Sequence, residues 1–174
     1  FSKSIRRRAA TIGGHNMDDY PLKMHVFNRA RLIKNSKNRI PYGVDLIQKY
    51  KRESWIVFTE NKKQAKEFNK IINTKGFKSA LYNTDLDSTE RLENLNKFKK
   101  ADLNVLVTCT ALDEGFDMPE ADGALILSAS SSKRQRVQRM GRVLRITENK
   151  PNALIVTVYS SKTEFDKLME EAKR

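Results

Sequence analysis

At 174 residues the chain is long enough for one domain of ordinary size with a real core. Its 39% hydrophobic and 32% charged residues exclude a disordered tail, and no apolar run approaches the length of a membrane span. The formal net charge of +13 calls for a polyanionic partner, with nucleic acid ahead of a membrane surface because no basic amphipathic anchor stands out. Cys109 is the single cysteine, which rules out an intrachain disulfide and points to an intracellular, cytoplasmic home. The start, Phe1-Ser2-Lys3-Ser4, has neither an initiator Met nor an apolar signal-peptide core, so the sequence reads as a piece of a longer polypeptide.

In chain order, residues 1–52 form a basic, mostly helical lead-in carrying 13 Lys/Arg against 3 Asp/Glu, a balance of +10; the remainder has 21 and 18, a balance of +3. A helical pattern runs from about Leu22 to Lys34, Pro41 and Gly43 predict a break, and a short helix follows near Val44 to Tyr50. From residue 53 to 174 strands and helices alternate. Trp55 to Thr59 is a short β-rich apolar run suited to a buried parallel strand. A helix from about Lys62 to Lys75 turns Ala65, Phe68, Ile71 and Ile72 inward and stops at Gly76. Ser79 to Tyr82 is a second strand. Asp87 or Ser88 caps a helix to about Lys100, with Leu92, Leu95 and Phe98 expected to face inward. Val105 to Thr108, Ala124 to Leu127 and Ala153 to Val158 are further strands, and a closing helix runs from about Thr163 to Ala172. Repeated β-α units of this length imply an α/β fold, a mostly parallel sheet in a three-layer α/β/α sandwich. Ligands of such folds gather beyond the carboxyl ends of the strands.

Conventional catalytic signatures are missing. No Gly-rich phosphate loop ends in Gly-Lys-Ser/Thr; Gly13-Gly14 is followed by His15-Asn16. Two histidines, His15 and His25, are too few for a zinc site or a credible Ser-His-Asp arrangement, so no metal site is expected. Three segments stand out instead. Lys133 to Arg145 carries six cations and no acid, and ends in Gln138-Arg-Met-Gly-Arg-Val-Leu-Arg145. Arg142 and Arg145, three apart, share a helix face, and guanidinium pairs suit charge stabilisation on a transferring phosphoryl group. The alternative is a solvated basic helix. Thr108 to Pro119, with Gly115 and Asp117, is a polar turn directly after a strand; it offers a hydroxyl, backbone N–H groups and a carboxylate, or is a capped turn and nothing more. Phe58-Thr-Glu-Asn-Lys62 delivers Thr59 and Asn61 to a helix N-terminus, a phosphate site or an ordinary cap.

Together, in order and at strand ends, these segments resemble motifs IV (Ser54 to Asn61), V (Asn104 to Glu120) and VI (Gln138 to Arg145) of the second RecA-like domain of superfamily 2 helicases and translocases. The resemblance implies that Arg142 and Arg145 are arginine fingers directed to the γ-phosphate of ATP. It implies that Gly115 and Asp117 line the nucleotide side of a cleft, and that Gln138 contacts the nucleotide or links the site to the nucleic-acid groove. Thr108, Asn61 and Thr84 would touch the phosphodiester backbone. ATP and Mg²⁺ would be held mainly by an N-terminal RecA-like domain of the same polypeptide. Gln138, where DEAD-box RNA helicases usually have His, and the form of Leu112 to Pro119 resemble DNA-directed members: repair and transcription-type helicases and the translocating subunits of restriction enzymes. Cys109-Thr110 and the Tyr82-Asn83-Thr84 stretch, without His-Gly, depart from the common pattern. The expectation is a C-terminal motor domain of an ATP-dependent DNA helicase or translocase, inactive alone. The alternatives are an RNA helicase domain, a non-enzymatic nucleic-acid-binding module, and an inert protein platform.

Overall fold

The computed structural model describes residues 24–25, 28, 32–33, 35–109, 121–128 and 153–172. The chain divides into two compact units, Phe1–Ile33 and Lys34–Arg174. In the first, the described residues Met24, His25, Asn28, Leu32 and Ile33 are helical, within the helix the sequence predicts. The second unit takes in a helix, α1 (Arg39–Tyr50), that the sequence assigns to the lead-in.

The expected break at Pro41 and Gly43 does not occur, and each residue has a reason. Pro41 is the third residue of α1, inside the first turn, where a backbone N–H has no intrahelical acceptor to lose. Gly43 lies flat on the sheet: a Cβ there would sit 2.5 Å from Leu127 Cδ2. The helix therefore runs through both and lays Ile40, Val44, Leu46 and Ile47 into the core.

The sheet is all parallel, in the order β2-β3-β1-β4-β5. Its strands are β1 (Trp55–Thr59), β2 (Ser79–Tyr82), β3 (Val105–Cys109), β4 (Gly123–Ile126) and β5 (Leu154–Thr157). Helix α2 (Lys62–Thr74) links β1 to β2 and α3 (Ser88–Lys99) links β2 back to β3. The two connections travel in opposite directions, so one handedness of crossover sends them to opposite faces. One face packs Trp55, Val57, Val105, Val107, Leu125 and Leu127 against α1 and α2. The other packs Ile56, Phe58, Leu106 and Ile126 against Leu95 and Phe98 of α3. The strands β1, β3 and β4 are buried along their whole length, which is why they read as unbroken apolar runs.

Helix α2 ends as expected, with Gly76 at φ 87° just past it. Helix α3 is capped by Asp87, which accepts the N–H of Glu90 at 2.7 Å. Leu92 does not face inward; it is 57% exposed. At about 3.6 residues per turn the stripe facing the sheet is Arg91, Asn94, Leu95 and Phe98, and a strict spacing of three carries Leu92 off it. Helix α4 (Lys162–Ala172) closes the chain.

Two close fits hold the register. At the amino edge, Ser54 donates from N and Oγ to Asp122 Oδ2 (3.1 and 2.8 Å), and Asp122 N donates back to Ser54 Oγ (3.0 Å), locking β1 to β4. One step along, Trp55 is paired with Gly123, and its fully buried indole occupies the space a side chain there would need. A Cβ on Gly123 would meet ring atoms of Trp55 at 2.6 to 2.8 Å. Gly123→Ala is thus expected to destabilise the fold by about 1–3 kcal/mol through overpacking, read as a lower urea midpoint with unchanged slope.

Arg39 has the most unusual place in the core. It is 2% exposed and gathers four acceptors from the far end of the chain. Its Nη1 donates to Leu127 O (2.6 Å) and Val158 O (2.7 Å), and its Nη2 to Ser160 Oγ (2.7 Å) and Glu164 Oε2 (2.5 Å). One guanidinium fork thereby joins α1, the ends of β4 and β5, and the first turn of α4. Arg39→Met would strip the donor from two carbonyls and the counter-charge from Glu164. We expect a loss of about 3–5 kcal/mol, the range for breaking a buried pair by removing one partner, measured by equilibrium denaturation.

Candidate nucleotide and nucleic-acid edge

Parallel pairing brings the strand ends level. Tyr82, Thr108, Phe58, Ile126 and Thr157 form one row across the sheet. The next residues, Asn83, Cys109, Thr59, Leu127 and Val158, are all buried, and beyond them the chain leaves the sheet at its carboxyl edge. The three segments singled out in the sequence leave from three adjacent strands: Glu60-Asn61 from β1, the 110–120 stretch from β3, and the stretch beginning at Ser128 from β4.

The described part of this edge is polar and ordered by local bonds. Thr59 Oγ1 donates to Thr108 O across the β1–β3 pair at 3.0 Å, with a second, longer approach to Asn61 O at 3.3 Å. Asn61 caps α2: its Oδ1 accepts Gln64 N–H at 2.9 Å, and its Nδ2 donates to Asn35 Oδ1 at 2.5 Å. Gln64 returns the contact by accepting Glu60 N–H at 2.9 Å. Gln64 thus bonds the N–H one residue before the cap, a variant of the capping box; the capping interpretation of Asn61 is realised, and its amide is already engaged within the chain. Thr84 is exposed, on the turn after β2. That turn is built by Asn83, whose Oδ1 accepts Asp85 N–H at 3.0 Å. Thr108 is 1% exposed, and its Oγ1 has no hydrogen-bond partner among the described residues. Gly115, Asp117, Gln138, Arg142 and Arg145 lie outside the described residues.

The exposed flank carries paired charges. Asp85 meets Lys62 and, at 3.0 Å, Lys66, both on the first turns of α2. Hydrogen bonds from Lys62 first and Lys66 second hold its carboxyl below the ordinary value of 3.8. A depressed folded-state pKa means that these contacts support the fold above the usual carboxylate range and are lost as pH falls through the depressed value. At such an exposed site the effect on stability is small. Tyr82, the last residue of β2, is pushed the other way: burial raises its phenol above 10.0, against the field of Arg91. The Tyr82 hydroxyl therefore stays protonated at neutral pH.

Two residues that shape this edge escaped the sequence reading. Arg39 stands on the same helical stripe as Gly43, Leu46 and Ile47, and a cation on an apolar stripe is the signal that it is buried and paired. Asn83 is fully buried, and its Nδ2 has no partner among the described residues. Nothing in the sequence distinguishes it from an ordinary turn residue. As for bound groups, no cluster of three or more His, Cys, Asp or Glu able to hold a metal exists among the described residues. The donors the edge does offer, hydroxyls and a helix N-terminus, suit contact with phosphate oxygens from one side.

Residues 38–147 match the helicase conserved C-terminal domain family. The chain is 36% identical over 129 residues to the DNA 3'-5' translocase XPB2 of Sulfurisphaera tokodaii, covering 74% of this chain and 28% of that protein. It is 28% identical over 166 residues to the ATP-dependent RNA helicase DBP3 of Ajellomyces capsulatus, covering 91% of this chain and 32% of that one. The chain thus spans about a third or less of either relative. Its fold superposes on the C-terminal domain of the DEAD-box protein Dbp5 with a TM-score of 0.69 at 22% identity, covering 80% of this chain and 79% of that one. Among the described residues no helix is long and apolar enough to cross a membrane. With the family matched across most of the parallel sheet and the RecA-like fold confirmed in solved relatives, the chain belongs to the helicase conserved C-terminal domain family, as the C-terminal RecA-like domain of a superfamily 2 helicase.

Proposed function

We propose that this domain is the C-terminal half of an ATP-dependent DNA translocase or helicase, and that it completes an ATP site whose phosphate loop and Mg²⁺ ligands belong to an N-terminal RecA-like domain of the same polypeptide. The observation that carries the DNA assignment is the 36% identity to a DNA 3'-5' translocase. Bound ATP with its Mg²⁺ supplies the phosphoryl-transfer chemistry. The chain's own part is electrostatic: Arg142 and Arg145 bring permanent positive charge to the γ-phosphate as it transfers, while Gln138, Gly115 and Asp117 line the nucleotide from this side. On the neighbouring flank Thr84, exposed on its turn, is the first contact to the phosphodiester backbone. Thr108 and Asn61 reach that backbone once a strand is seated, Thr108 through a hydroxyl with no partner among the described residues. The excess of +10 in residues 1–52 adds sequence-independent attraction to the polyanion.

A second reading, an RNA helicase, draws on the DBP3 relative, which matches more of this chain than the translocase does. Steady-state ATPase assays on the full-length polypeptide decide between them. Stimulation by single- or double-stranded DNA but not by RNA of equal length supports the first reading, and the reverse order replaces it with the second. The isolated chain is expected to show no ATPase; appreciable turnover by it would end the shared-site proposal. In the full-length protein Arg142→Ala should lower kcat by roughly 10³–10⁵-fold, the range for an arginine finger, with DNA affinity largely kept. Joint loss of both would count against the finger role. Thr84→Ala should weaken DNA binding by about two- to tenfold, one hydrogen bond's worth, at unchanged basal ATPase; an unchanged dissociation constant in a salt-controlled titration removes Thr84 from the contact set.

A further inference from the structure

We infer that Arg39, on the first helix of the domain, is a positioning residue for the arginine-finger segment. The inference rests on the finger reading above. Its basis is the point where Arg39 takes hold. Leu127 is the residue at which the chain leaves β4, and from Ser128 it continues into the stretch that contains Gln138, Arg142 and Arg145. Leu127 is fixed on both sides of its peptide. Its N–H donates to Phe58 O at 2.9 Å, continuing the β1–β4 ladder, and its carbonyl accepts Arg39 Nη1 at 2.6 Å. The same Nη1 holds Val158 O at 2.7 Å, while Val158 N donates to Ile126 O at 2.9 Å. One nitrogen therefore spans the ends of β4 and β5 just beyond their last ladder pair.

The rest of the fork keeps that nitrogen in place. Nη2 is held by Ser160 Oγ and Glu164 Oε2, and Glu164 also accepts Ser160 N–H at 2.8 Å, so the acceptors are themselves fixed. The guanidinium is almost wholly out of water, and Gly43, one turn further along α1, brings that helix down onto the Leu127 side chain. Backbone and side chain of Leu127 are both registered by α1. A finger helps only if its charge meets the transferring phosphoryl group within a fraction of an ångström. The position of the segment's root is then a kinetic variable, even though Arg39 touches neither nucleotide nor nucleic acid.

Two variants separate positioning from general support. Arg39→Lys keeps a cation able to pair with Glu164, but its single ammonium cannot bond two strand ends and two side chains at once. Glu164→Gln removes the counter-charge but keeps an amide oxygen able to accept from Arg39 Nη2 and Ser160 N, so the fork stays held on Leu127 and Val158. In the full-length protein, with rates expressed per folded molecule, Arg39→Lys should lower kcat for nucleic-acid-stimulated ATP hydrolysis by about tenfold or more with KM for ATP within twofold, the signature of an interaction used only in the transition state. Glu164→Gln should lower the melting temperature yet keep kcat within twofold. Combined with Arg142→Lys, the Arg39→Lys change should cost little further rate, because the finger it positions is already impaired. Multiplicative losses, an equal kcat loss in Glu164→Gln, or wild-type kcat in Arg39→Lys beside a slow Arg142→Lys would each overturn the positioning role while leaving the finger reading intact. Wild-type kcat in Arg142→Lys would overturn the finger reading and this inference with it.

Discussion

The level register of β3, β1 and β4 is the constraint on which the rest depends. Parallel strands paired without offset end together, so the three exits that carry the family's motifs are placed side by side by backbone bonding alone. A shift of one residue in β1 would turn Phe58 and Val57 to the wrong faces and move Asn61 away from the neighbouring exits. The sequence opposes such a shift at both ends. Ser54 and Asp122 bond reciprocally at the amino edge, the Trp55 ring fits only over Gly123, and Thr59 binds Thr108 O at the carboxyl edge.

On that frame the polar groups divide by burial. Those at the carboxyl edge of β1, β2 and β3 are small and neutral: Thr59, Asn83 and Thr108. The charges nearby, Lys62, Lys66 and Asp85, remain in water, and Asp85 offsets one of the two cations. Under the proposed function, affinity for phosphate comes from N–H groups, hydroxyls and the permanent cations in the sequence after β4. This separation suits a site assembled from two domains, because a strongly cationic edge on one domain would hold nucleotide in the absence of the other.

Much of this was legible in the sequence because buried parallel strands and capped helices have local causes. Trp55 to Thr59 reads as a buried parallel strand and Asp87 as a cap, and both stand so in the fold; Asn61 offers a cap or a phosphate contact, and the cap is formed. The misreadings have non-local causes. Pro41 and Gly43 read as a break because their tolerance depends on position in the first turn and on a leucine 84 residues away. A spacing of three puts Leu92 inward, although the face is chosen by where α3 meets β2 and β3. Arg39 was one cation among thirteen in a basic segment, and only the tertiary fold shows which of them is buried.

Why a charge occupies that place follows from the acceptors around it. Burying a guanidinium costs several kcal/mol, and an apolar side chain of similar volume would avoid that cost. It would also leave the carbonyls of Leu127 and Val158 without their donor at the point where the sheet ladder runs out. Two strands that stop pairing at the same level present oxygens facing the same way, and a planar fork with five donors is the side chain able to take both and still reach a hydroxyl and a carboxylate. A lysine could neutralise Glu164 but would choose among the acceptors. The cation is therefore tied to geometry more than to stability: it makes the exits of β4 and β5 a single rigid object with α1 and the start of α4. Under the arginine-finger proposal, in which charge must be presented at a fixed point, that rigidity offsets the desolvation of the buried ion.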